Sequence, residues 1–236
     1  MLQTNDFKQI KNKHIRKLYQ NVYYHLDQIA SMTNKEDVVA YQNLFKAYKN
    51  GYTSNHKMFK KLLKSNIKFP HIYIDWFFVY IDKKLQYLNK PELKRLDDLY
   101  VYAQLQSKLG FLLLITHQNA KLNLDMINTL SVIDIYTDIL LNDDTYLLEN
   151  KIHYPTGLIE DFGVEKNLDG HYLKNEQYVG LWEYLLFKVQ SDMKLIMPQH
   201  MLFQPYEAQI IDTVLKRAKE GLKLKRQALI DHLKTT

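Results

Sequence analysis

An all-α fold is predicted for this chain, and three observations predict it. Apolar residues recur at helical spacing over long segments. Breakers are sparse, with 7 glycines and 5 prolines in 236 residues, too few for the tight turns of a sandwich or barrel. The runs richest in apolar residues, around 72–81 and 109–115, are short, as buried helices are, and none approaches the ~20 residues of a membrane span. One domain accommodates the length, and no repeat, low-complexity stretch or linker divides it.

The elements follow in order. A first helix starts near Thr4–Asp6 and puts Phe7, Ile10, Leu18, Val22, Leu26 and Ile29 on one face. Thr33 and Glu36 have capping-box spacing for a second, which Gly51 ends. A third covers about Ser54–Ile67, before Pro70. Ile72–Leu88 is an aromatic, buried helix, and Pro91 opens a fifth that continues to about Thr116. A sixth spans about Leu122–Leu141, and an irregular stretch carries the chain through Pro155 and Gly163. Two long helices, about Lys174–Met197 and Pro205–Lys234, complete a total of about eight.

Composition narrows the chemistry. The absence of cysteine excludes disulfides, thiol catalysis and thiolate zinc sites. The nine histidines form no i, i+4 pair or H-E-x-x-H arrangement, and no G-x-S-x-G, phosphate loop or dinucleotide fingerprint occurs. A formal charge of +6 permits anionic partners without selecting one. The lysines read as solvated helix faces rather than a basic block. The polar start MLQTNDFKQIKNKH has no apolar signal core, so a cytoplasmic location is expected. Eighteen tyrosines supply rigid surface with polar tips, for a core or for a pocket holding a long apolar ligand.

The segment with most to say is 131–164, SVIDIYTDILLNDDTYLLENKIHYPTGLIEDFGV. Asp134 and Asp138 stand four residues apart, on one face of a helix that is otherwise almost wholly apolar. Such a pair is either a solvated stripe or two carboxylates aimed into a cavity, where they could hold a hard cation through oxygen.

Asp134-Ile-Tyr-Thr-Asp138, Lys151-Ile-His-Tyr-Pro155 and Leu158-Ile-Glu-Asp-Phe162-Gly-Val164 together resemble the second aspartate-rich region of the squalene/phytoene synthases, particularly the bacterial dehydrosqualene synthase type. Tyr178-Val-Gly-Leu-Trp-Glu-Tyr184 is similar to that type's Y-x-D-L-W-E-Y segment, and Tyr206-Glu-Ala-Gln-Ile-Ile211 to its final helix. The likeness runs over about 70–233; residues 1–70 match only in helical pattern. It implies a single isoprenoid-synthase-like bundle of about eight helices around a central cavity, spanning 1–236. It also implies head-to-head condensation of prenyl diphosphates, with Mg²⁺ neutralising the departing diphosphate. Asp134 and Asp138 would bind metal, Lys151 phosphate, and Asp27, in Tyr24-His-Leu-Asp27-Gln-Ile-Ala30, is what remains of the first aspartate-rich motif. The family's small-residue run A-G-T-V-G corresponds to Gln106-Ser-Lys-Leu-Gly110. Gly110 would keep the close approach to substrate, and Gln106 and Lys108 would crowd it. An insertion before Lys151 leaves open whether Asn142 or Asp143 and Asp144 complete the second motif.

Three functions follow from these residues. The first is a prenyl diphosphate condensing transferase, of reduced activity because one acidic wall rests on Asp27. The alternative is a non-catalytic homologue that binds an isoprenoid lipid or stabilises a partner. The third, a basic helical nucleic-acid binder, has charge alone behind it and no recognition module, so no nucleic acid is expected. The expected partner is a prenyl diphosphate or other isoprenoid lipid, with contact at the inner face of a membrane as an extension.

Overall fold

The computed structural model describes residues 2–52, 56–69, 73–88, 93–117, 123–148, 154–199 and 202–235, with the side chains of 143–148 excepted. Ten α-helices follow a 3-10 turn (Thr4–Gln9) among these residues. They are α1 (Lys13–Ser31), α2 (Lys35–Lys49), α3 (Lys57–Lys68), α4 (Asp75–Tyr87), α5 (Leu96–Gln106), α6 (Lys108–Thr116), α7 (Leu124–Leu148), α8 (Thr156–Asp161), α9 (Glu176–Ile196) and α10 (Pro205–Thr235). A lone antiparallel bridge joins Lys166 to Tyr172. No described helix is long and apolar enough to cross a membrane.

Two helices beyond the expected eight have local causes. The fifth predicted helix breaks at Ser107, whose backbone is extended (φ −67°, ψ 119°) and whose hydroxyl accepts the Gly110 amide at 3.0 Å, capping α6. The stretch read as irregular holds α8. It ends at Gly163, with φ +63°, through Val164 N to Ile159 O (2.9 Å) and Gly163 N to Glu160 O (3.0 Å). That pairing is a Schellman motif, which favours glycine. The second helix begins one residue later than its capping-box spacing indicates, because Asn34 Oδ1 accepts the Asp37 amide at 2.8 Å. The expected start of the first helix is instead the 3-10 turn, where Asp6 accepts the Gln3 amide. The α-helix proper starts after Asn12, whose side chain accepts the amides of His14 and Ile15.

Helix α7 forms the axis of the packing, against α9 on one side and α5 and α6 on the other, while α1 packs against α6 and α3. Trp182 is fully buried and donates its indole N–H to Leu140 O at 3.1 Å, tying α9 to α7. A buried Tyr or Trp needs such a partner. Tyr19 donates to Glu207 Oε1 at 2.7 Å, and the other oxygen of Glu207 accepts the Gln204 amide at 3.0 Å, capping α10. Burial pushes the Glu207 carboxyl above its usual range. The acid of the E-A-Q segment is thus a strut between α1 and α10. Asp6, also buried, accepts from Arg217 and so fastens the N-terminal turn to the same helix.

Candidate functional site

Helices α1, α6 and α7 bring two of the expected acids, Asp27 and Asp134, to one lysine. Asp134, on α7, is only 4% exposed. Its Oδ2 accepts the Ser107 hydroxyl at 2.8 Å. Ser107 therefore gives its single proton to Asp134 and spends a lone pair on capping α6. Because the cap must stand at the α5–α6 break, the break itself fixes where Asp134 is held.

Lys108, the next residue, crosses to α1, where its ammonium donates to Asp27 Oδ1 at 2.8 Å and lies 5.5 Å from the centre of the Tyr23 ring. Burial works to lower the lysine's pKa. The bond to Asp27 and the fields of Tyr23, Asp27 and Asp134 outweigh it and hold the pKa above the usual value. Burial above all, with smaller contributions from the same carboxylates, raises the phenols of Tyr23 and Tyr80. Asp27, Lys108 and Asp134 thus form one electrostatic cluster beside two tyrosines, and among the described residues its cation is Lys108.

Asp138 lies one turn farther along α7. It accepts the Asn142 side-chain amide at 2.9 Å, where the helix departs from helical geometry (φ −124°, ψ 25° at Asn142). Its field and burial raise Tyr102 of α5. Asp138 therefore faces α5, and Asp134 faces the α5–α6 break.

Gly110 is buried against α7: a Cβ there would lie 2.0 Å from Ser131 Oγ. The glycine is required by the approach of two helices, a role that does not depend on ligand. Lys151 and the side chains of Asp143 and Asp144 lie outside the described residues. Asp98 starts α5: it accepts the amides of Lys94 and Arg95 at 3.0 and 2.8 Å.

Mg²⁺ takes oxygen ligands in near-octahedral geometry. Asp27 is bonded to an ammonium, Asp134 to a hydroxyl and Asp138 to an amide. Among the described residues no three carboxylates, imidazoles or thiolates come together to hold a metal ion. Lys108 sets an ammonium beside Asp27, from a run that the resemblance makes small and apolar.

A concave site away from these acids is absent from the sequence reading. A cavity of about 590 Å³ lies between α1 and α3, lined by His14, Lys17, Lys61, Lys64 and Lys68, with Asn21 and Ser65 beneath. Lysines read as spread along the helices are in fact gathered here by the packing of α3 on α1. No single helix carries the whole cluster.

No family model and no curated protein matches this sequence. Solved structures do. A dehydrosqualene synthase crystallised in complex with a ligand superimposes with a TM-score of 0.78 at 14% identity, over 98% of this chain and 89% of that one. The squalene synthase HpnC from Alicyclobacillus acidocaldarius gives 0.72 at 13%, over 92% and 83%. At this identity the likeness establishes the fold, which is that of the squalene/phytoene synthases. Coverage of 98% takes in residues 1–70, where the sequence matched only in helical pattern.

Proposed function

We propose that this chain is a non-catalytic protein on the squalene/phytoene synthase fold, which binds an uncharged isoprenoid without metal. One observation carries the reading: Lys108 reaches Asp27 from the same break at which Ser107 holds Asp134. A tethered ammonium thus stands among the carboxylates that the resemblance assigns to metal. Among the described residues, Asp27, Asp134 and Lys108 sum to one negative charge, which disfavours a diphosphate. A divalent ion would have to displace a cation that cannot diffuse away, so metal-assisted departure of diphosphate loses its electrophile.

The fold tolerates such a loss because fold and site are separable. Support for an isoprenoid ligand is the fold itself, together with the long apolar faces of α6 and α7. The charge of the cluster favours the alcohol over the diphosphate.

The experiment is incubation with farnesyl diphosphate and Mg²⁺, alongside titration with farnesol read by tryptophan fluorescence. No diphosphate release and saturable quenching by farnesol are expected. Magnesium-dependent release by the native protein would overturn the non-catalytic reading, and absence of farnesol binding would remove the isoprenoid.

A further inference from the structure

We infer that the cleft between α1 and α3 is a binding site for an oligophosphate group, a conclusion independent of the function proposed above. The cleft is concave, with a volume of about 590 Å³, within the range of small-ligand pockets. Helix α3 contributes Lys61, Lys64 and Lys68, and α1 contributes His14 and Lys17. Residues three, four and seven apart share a helix face. The two basic rows therefore face one another across the cleft.

Three features separate this cleft from an ordinary solvated face. The first is composition. Helix α3, KMFKKLLKSNIK, has five lysines and no acid. Helix α10 instead spaces Asp212, Glu220 and Asp231 among its basic residues. Like charges at i, i+3 and i, i+4 destabilise a helix by a few tenths of a kcal/mol each.

The second is partnership. Among the described residues Lys17, Lys61 and Lys64 make no ion pair, and no Asp or Glu lines the cleft. Lys68 Nζ lies within hydrogen-bond distance of His14 Nδ1, at 3.3 Å, and finds no carboxylate in the cleft. Helix α1 has one carboxylate, Asp27, and Lys108 holds it.

The third is a rigid floor. Asn21 Nδ2 donates to Ser65 Oγ at 2.8 Å and to Lys61 O at 3.2 Å, and both side chains are at least nine-tenths buried. This contact locks α1 to α3, so the spacing of the two basic rows is set before any ligand arrives. Lysines suit phosphate as point charges without demanding one orientation, and several unpaired at close range match a group with several negative charges. A concave cleft favours a phosphate ligand over a duplex lying on a flat face.

The phosphates could belong to a soluble molecule or to a lipid headgroup, and the test has an arm for each. The full chain is titrated with inorganic triphosphate by calorimetry and mixed with phosphatidylglycerol vesicles in a flotation assay. Both are repeated with Lys61→Ala/Lys64→Ala and with a control on α10, Lys216→Ala/Lys223→Ala. All four lysines are exposed, and thermal unfolding verifies that each variant folds. Saturable 1:1 triphosphate binding is expected, weakened about tenfold per lysine in the α3 variant and unchanged in the control. Vesicle binding alone, lost in the α3 variant, keeps the site and assigns its phosphates to lipid. The inference is overturned if neither probe binds, if both variants weaken binding equally, or if retention occurs only on RNA or DNA.

Discussion

Replacing Lys108 with alanine removes the ammonium that bonds Asp27 and lies in the field of Asp134. The lysine side chain is 27% exposed and that of Asp27 46%, so their direct attraction is screened and contributes about 0.5–1 kcal/mol. That loss lowers the midpoint of a chain this size by about 1–4 °C. The vacated space then holds two uncompensated carboxylates. If they bind Mg²⁺ with a dissociation constant of about 1 mM, 10 mM metal returns about 1.4 kcal/mol, or about 3–6 °C. The assay is thermal unfolding of both proteins with and without 10 mM MgCl₂. The native protein should move by less than about 1 °C, because its own ammonium already does what the metal would do. Equal stabilisation of native and variant proteins would refute the reasoning, as would a variant that gains nothing from metal. The pH dependence has a defined sign. The folded Lys108 pKa lies above the unfolded value near 10.5, so the native advantage is full below that pH and lost as pH rises through the folded value.

Two further perturbations probe the frame around this cluster. Gly110→Ala places a Cβ 2.0 Å from Ser131 Oγ and 3.3 Å from its Cβ; a loss of about 1–3 kcal/mol by denaturant unfolding is expected. Adding Ser131→Ala should restore part of it by removing the nearer clash. His25 is fully buried among Phe45, Phe59 and Phe77, with its Nδ1 2.7 Å from the Tyr41 hydroxyl, and burial pushes its pKa down to about 3 from 6.5. The unfolded chain therefore binds a proton that the folded one refuses. Stability from this residue is complete above pH 6.5 and falls by about 1.4 kcal/mol per unit as pH drops toward 3. Native and His25→Phe proteins unfolded between pH 7 and 4.5 should show the native protein losing more.

The fold was legible because helices are local objects. Apolar periodicity and Pro205 at the first turn of α10 act within a few residues. The misreadings were also local: at Ser107 a serine cap outweighed the helical pattern on both sides. The quoted motifs led to the fold, yet several of their residues turn out to have structural work. Trp182 ties α9 to α7, Glu207 caps α10 and bonds Tyr19, and Gly110 admits α7.

By itself the sequence determined an all-α chain, its sparse breakers, the Asp134–Asp138 face and the presence of a lysine where a small residue was expected. Only the tertiary structure decided where that lysine's charge goes. Asp27, Lys108 and Asp134 are separated by 81 and 26 positions along the chain, and their meeting depends on how α1, α6 and α7 pack. The α1–α3 cleft has the same origin. Residues 14–21 and 61–68 show only spaced lysines until packing sets the two helices side by side. Electrostatics depends on distance in space, and periodicity along a chain carries none of that information.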